Sequence, residues 1–107
     1  MPAKFRVSIT PLAEKDIEEI WSFIAADSPD RALEFVVELE RQVSRLERFP
    51  LRCPLIPEND VLGAQYRHLI FGNYRTLFRV TEDSVNVLRV VHGARLLDSS
   101  LFEAPDI

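Results

Sequence analysis

Residues 66–95, which read YRHLIFGNYRTLFRVTEDSVNVLRVVHGAR, constrain this chain more than any other stretch. Three runs rich in β-branched and aromatic residues, YRHLIF, YRTLFRV and SVNVLRVV, read as strands. Gly72-Asn73 separates the first two and takes the positive backbone angles of a tight hairpin. Glu82-Asp83 separates the second and third, with weaker turn chemistry. Charge is segregated along the same lines. The stretch holds five arginines, at 67, 75, 79, 89 and 95, against the two acids Glu82 and Asp83, a formal +3. The other 77 residues hold eight basic and 15 acidic residues, a formal −7, so the chain of 107 carries −4. A basic sheet on an acidic protein is the feature a functional reading has to explain.

The rest of the chain supplies helices for that sheet. Phe5, Val7 and Ile9 alternate with Arg6 and Ser8 as a short half-buried strand. Thr10-Pro11 is a helix start, threonine as N-cap and proline at the first helical position. Ala13, Ile17, Ile20 and Ile24 then draw one apolar stripe along a helix over about residues 11–26, with Trp21 beside it. Glu14, Asp16, Glu18 and Glu19 fall on its early turns, where the helix dipole favours acids. Ser28-Pro29 repeats the start signal after a link of about two or three residues, which forces an antiparallel helix hairpin. The second helix carries Ala32, Phe35, Val36, Leu39, Val43 and Leu46 at helical spacing. Its outer face, with Arg31, Glu34, Glu38, Arg41, Arg45 and Arg48, is mixed in sign and reads as a solvated surface or a partner interface. Phe49-Pro50 stops it.

Pro50, Pro54 and Pro57 punctuate a loop to about Asp60, with Leu51, Leu55 and Ile56 available to pack across the sheet edge. After Arg95, the residues Leu96, Leu97, Leu101 and Phe102 form a short closing helix or a packed extended arm, fraying at Ala104-Pro105. The order is β-α-α-β-β-β. The expected fold is α+β: one domain over residues 1–107, with an N-terminal helix hairpin packed on one face of a mostly antiparallel sheet.

In the third strand-like run of the chain, Tyr74, Thr76, Phe78 and Val80 point one way and make the better core face; Arg75, Leu77, Arg79 and Thr81 point the other. A two-residue turn at Gly72-Asn73 pairs Phe71 with Tyr74 and puts Tyr66, His68 and Ile70 on the face of Arg75 and Arg79. A bulged loop puts Arg67 and Leu69 there instead, and a one-residue slip decides between them. Either register leaves cationic groups on the open face of a one-sided sheet, near Ile70, Leu77 and Leu88. Ile17, Ile20, Ile24, Phe35, Leu39, Val43 and Phe78 form the expected core.

Composition removes several classes. No apolar run approaches the ~20 residues of a membrane span, and the N-terminus MPAKFRVSIT lacks a signal-peptide h-region. The single cysteine, Cys53, permits no internal disulfide and fits a reducing cytoplasm. There is no P-loop, GxGxxG, HExxH or GxSxG. His68 and His92 have no cysteine or acid at metal-ligand spacing, so neither metal nor cofactor is expected. An acidic chain argues against a general nucleic-acid binder but leaves room for a local basic site. His92-Gly93-Ala94-Arg95 ends a strand, changes direction and presents an arginine, which suits an anion or a structural ion pair.

Several pieces together resemble the RelE/ParE superfamily, the toxins of bacterial type II toxin–antitoxin modules, also called plasmid stabilisation proteins. They are Ile9-Thr10-Pro11-Leu12-Ala13-Glu14-Lys15-Asp16-Ile17, Ser28-Pro29 with Ala32, Leu46 to Pro50, Tyr66-Arg67, Tyr74-Arg75 within YRTLFRV, and the closing VVHGAR. The similarity spans about residues 5–97 and implies the same α/β arrangement. It also implies a cytoplasmic toxin with a cognate antitoxin as partner, in a toxin–antitoxin hetero-oligomer. RelE-like members are ribosome-dependent endoribonucleases acting on mRNA. Their basic residues fall here on Arg67, Arg75 and Arg95, but the second basic site falls on Leu69 and the C-terminal tyrosine on about Leu101. His92 is the remaining group able to move protons. ParE-like members instead inhibit DNA gyrase by binding, and the departures favour that branch. The residues expected to form the target-binding surface are Arg67, Arg75, Arg79, His92 and Arg95. A non-toxic antitoxin-binding relic is the further alternative. The partner expected on the open sheet face is an antitoxin tail with acidic and apolar residues.

Overall fold

The computed structural model describes residues 4–95, 97 and 99–102. Arg6–Ile9 forms β1. Thr10 stays extended, its hydroxyl accepts the Ala13 N–H at 3.2 Å, and Pro11 opens α1, Pro11–Ala25. Ser28 does the same for Arg31 at 3.3 Å, and Pro29 opens α2, Pro29–Ser44. Each start therefore satisfies an orphan helix donor and spends no N–H at the proline. Three residues separate the helices, so they return antiparallel.

The stop signal at Phe49-Pro50 acts over more residues than expected. After Ser44 the chain tightens into a 3-10 turn, Arg45–Glu47, and Pro50–Arg52 forms another. The segment read as a loop up to Asp60 contains the start of a one-turn helix, α3, Asn59–Leu62, closed by Gly63 at φ +65°. That left-handed angle is one glycine adopts without the steric cost of a Cβ. Next come β2, Arg67–Phe71, β3, Tyr74–Val80, and β4, Ser84–His92. Ser99–Phe102 closes as a 3-10 turn, the helical alternative for the tail. Leu96 and Ala104-Pro105 lie outside the described residues.

The sheet order is β1-β4-β3-β2, antiparallel except for the parallel pair β1–β4. Phe71 pairs with Tyr74, so the hairpin turn has two residues. Gly72 takes φ +57° and no non-glycine residue among those described has positive φ, which is a type II′ turn with glycine at its first central position. This puts Arg67, Leu69 and Phe71 on the face of Tyr74, Thr76 and Phe78, and His68 and Ile70 on the face of Arg75 and Leu77. Leu77 faces Arg89 while Phe78 faces Val87, so Leu88 is an extra residue that bulges β4.

The helix hairpin covers one face. Ala13, Phe35, Leu39, Val43, Leu46, Phe78, Val85 and Val87 are buried there, with Ile17, Ile20 and Ile24 half-buried against them. Phe35 stacks on Phe71 at 5.6 Å and meets Tyr74 edge-on at 5.4 Å. The seven expected core residues all belong to this cluster.

The other face is not open, which corrects the expectation of a one-sided sheet. Ile56, Leu77, Val91, Leu97 and Leu101 form a second buried cluster, flanked by Leu62, Tyr66 and Phe102. Tyr66 and Phe102 stack at 4.4 Å. The proline-punctuated segment and the tail fold across that face, so Arg75, Thr76, Leu77 and Phe78 are buried in succession. Alternation in β3 marks which face a residue meets, not whether it meets solvent.

Leu39 lies at the centre of the first cluster and is 3% exposed. Leu39→Ala should cost about 2–5 kcal/mol, read from the urea unfolding midpoint. A melting shift below about 2 °C would contradict this packing.

Candidate functional site

The arginines of the sheet have separate fates. Arg89 is built into the fold. β1 ends where Ile9 pairs with Val87, so the next residues of β4 have no strand on that side. The start of α1 completes the edge. The Thr10 N–H donates to the Val87 carbonyl at 3.0 Å and its hydroxyl to the Leu88 carbonyl at 3.0 Å. Asp16 Oδ2 accepts the Val90 N–H at 2.9 Å. The same carboxylate takes Arg89 in a fork, 2.6 Å from Nε and 2.7 Å from Nη2, and Arg89 Nη1 donates to the Leu101 carbonyl at 2.7 Å.

Arg75 is buried on the face away from the helix hairpin. Its guanidinium donates to both oxygens of Glu58, at 3.2 and 2.8 Å, just ahead of α3. Its Nη1 lies 3.4 Å from His68 Nδ1, and its Nε is buried without a partner. Arg75 holds the Glu58 carboxyl below the usual carboxylate range. Burial, then the Arg75 charge, pushes His68 below its ordinary 6.5, so it is neutral at pH 7. With a cation at Nδ1, the ring proton is assigned to Nε2.

Arg67 lies on the opposite face. Its Nη1 donates to the Cys53 carbonyl at 2.6 Å and the Leu51 carbonyl at 3.4 Å, pinning the Pro50–Arg52 turn to the sheet edge. Burial pushes the Cys53 thiol up against the weaker pull of Arg67, which keeps it protonated. Arg79 sits opposite Asn86 and is exposed, with no ion pair among the described residues. His92 sits opposite Tyr74, their rings 5.8 Å apart, and its Nδ1 accepts the Ala94 N–H at 3.1 Å.

His92 and Arg95 are brought together. With Tyr74, Asp16 and Glu19 they line a cavity of about 320 Å³ along α1. Arg75 lies close behind, since a Cβ on Gly93 would stand 3.8 Å from its Cγ. Arg67 and Arg79 belong to other places on the molecule. Among the described residues, no three His, Cys, Asp or Glu side chains gather to hold a metal, and no helix is long and apolar enough to cross a membrane.

A second group of cations lies on and just beyond the helix face read from the sequence as a solvated surface or a partner interface. Arg45, Arg48 and Arg52 are exposed beyond the end of α2, and no described carboxylate lies within ion-pair distance of them. With Phe49, Leu69 and Ile70 they line a cavity of about 500 Å³. Arg45 and Arg48 belong to that mixed-sign face, on which Glu38 holds Arg41 in an ion pair.

Comparison with known proteins places these features in a family. The profile described as "ParE toxin of type II toxin-antitoxin system, parDE" matches residues 7–97. A chain of the chromosomal ParDE system from P. aeruginosa is similar in structure at a TM-score of 0.65 and 21% identity, covering 83% of this chain and 96% of that one. A chain of the toxin–antitoxin complex RelBE2 from Mycobacterium tuberculosis is similar at a TM-score of 0.56 and 31% identity, covering 84% of this chain and 99% of that one. No curated protein matches.

Asp16→Ala should leave the Arg89 guanidinium unpaired and the Val90 N–H unsatisfied, costing about 3–5 kcal/mol by urea unfolding; Asp16→Asn, which keeps an acceptor, should cost less. Stability should also fall with pH. His68 and Glu58 both have lower values folded than unfolded, so the unfolded chain takes up their protons first. Their contributions are complete above the unfolded values, 6.5 and 4.5, and are lost as pH falls through the folded ones. His68→Gln should flatten the upper part of that decline, measured as the urea midpoint between about pH 7 and 5. A variant curve parallel to wild type across that range would show that His68 does not contribute.

Proposed function

This chain belongs to the ParE toxin family of type II toxin–antitoxin systems, and we propose that it acts by binding DNA gyrase and is neutralised by a cognate antitoxin. The observation that carries this reading is the internal engagement of the cations a nuclease would need. Arg75 is neutralised by Glu58 and buried, and Arg67 is spent on two backbone carbonyls. Charge stabilisation of a scissile phosphate requires guanidinium groups aimed at the substrate, and these two are aimed inward. Leu69 and Leu101 stand where RelE-like enzymes carry a basic residue and a tyrosine, and Leu101 is buried. Losing a general acid–base residue alone forfeits about 10²–10⁴ in rate.

What remains on the surface is suited to binding. Arg79, His92 and Arg95 are exposed, and His92 and Arg95 flank a cavity with Tyr74. Both solved relatives come from toxin–antitoxin systems, which supports an antitoxin as the natural partner. The target contact and the antitoxin contact need not coincide.

Expression of the protein should block DNA replication and leave messenger RNA intact. Supercoiling by purified gyrase should fall on addition of the protein, and His92→Ala should alter this only as far as it alters folding. Codon-specific cleavage on purified ribosomes, dependent on Arg67, Arg75, Arg95 and His92 and with gyrase untouched, would instead establish the RelE-like endoribonuclease. Inactivity in both assays from a folded, antitoxin-binding protein would identify a non-toxic relic.

A further inference from the structure

The cavity of about 500 Å³ beyond the end of α2 has the size of a small-ligand site, and its lining is of two kinds. Leu46, Phe49 and Leu69 make part of it apolar, and Phe49 is 53% exposed. Arg45, Arg48 and Arg52 make the rest cationic, and Arg52 lies over Phe49, 4.3 Å from its ring centre. Two acids of the same stretch of chain are engaged elsewhere: Glu38 pairs with Arg41, and Glu47 with Lys4.

That lining indicates the chemistry of a ligand. Three guanidinium groups without acids suit more than one negative charge, and their planar forks match phosphate oxygens. The apolar wall beside them calls for an apolar body attached to the phosphates. An exposed aromatic ring flanked by arginine is a surface on which a nucleobase stacks. Gln42 lines the same cavity, and its Oε1 has no hydrogen-bond partner. Turned toward the cavity, that acceptor suits the N–H of a base and has nothing to meet on an acyl chain. The other exposed large aromatic side chains among the described residues, Trp21 and Phe23, lie on α1. No row of exposed rings therefore continues from Phe49, as a strand of nucleic acid would need, and a single nucleotide fits better.

We propose that this cavity binds a nucleoside polyphosphate, its base against Phe49 and Leu69 and its phosphates on Arg45, Arg48 and Arg52. The proposal does not rest on gyrase. Nucleotide binding is measured on this protein alone, so it and inhibition of supercoiling can fail separately.

Isothermal titration calorimetry of the intact protein with ATP and GTP, at about 150 mM salt, provides the test. At least one of them should bind. Adenosine, guanosine and inorganic tripolyphosphate, which each lack one half of the ligand, should bind at least about tenfold more weakly. Binding of the triphosphate should weaken at least about tenfold in the double variant R48E/R52E, and at least about fivefold in Phe49→Ala, which removes the stacking surface. Cys53 is the only cysteine of the chain and lines the cavity, so its reaction with a maleimide should slow when the triphosphate is bound. If one variant fails to fold, the other and the protection of Cys53 still decide. The proposal is overturned if neither triphosphate binds, if tripolyphosphate binds as well as the nucleotides, if binding ignores both variants, or if a lysophosphatidate or a dodecauridylate binds this site more tightly.

Discussion

Asp16 holds three parts of the molecule at one point. Its carboxylate accepts the Val90 N–H where β1 has run out, and it grips Arg89 in a fork. Arg89 in turn donates to the Leu101 carbonyl, which fastens the tail over the second cluster. A buried ion pair of this kind adds little net stability over an apolar replacement, because desolvating two charges is costly. Its effect is on register. Only one placement of α1 along the bulged strand satisfies the carboxylate, the guanidinium and the amide together.

The Arg75–Glu58 pair has the same role on the far face. It fixes the approach to α3 against β3, so that Ile56 reaches its place beside Leu77. Arg67 ties the neighbouring turn to the β2 edge through carbonyls. Three arginines of the basic stretch are thus clamps that join irregular backbone to the sheet. Such clamps help a long proline-containing segment whose Leu51 and Leu55 are exposed while Pro50 and Ile56 are buried.

Much of the architecture was legible because its signals are local. Thr10-Pro11 and Ser28-Pro29 marked both helix starts, and the stripe from Ala13 to Ile24 marked the face that packs. Gly72-Asn73 marked the turn but left two registers, and the pairing of Phe71 with Tyr74, with Gly72 at positive φ, selects one. The second cluster was not legible, because Leu101 and Ile56 meet Leu77 only through tertiary folding across many residues. The arginines misled for a related reason. A residue's charge is visible in sequence, but the partner that neutralises it is not: Glu58 is 17 residues from Arg75, and Asp16 is 73 from Arg89. The candidate site was therefore legible as a set of cations, and not as the subset that remains free.

The parallel pairing of β1 with β4 bears on when the protein can become active during synthesis. Ser8 meets Asn86 across 78 residues of chain. On the ribosome the helix hairpin can form early from local contacts, but β1 has no neighbour until Ser84–Val87 has emerged. Contacts of such sequence separation are slow to close. Asp16 likewise waits for Arg89. The nascent chain thus lacks its finished sheet until almost all of it has been translated, which delays the appearance of a completed toxin surface inside the cell that makes it.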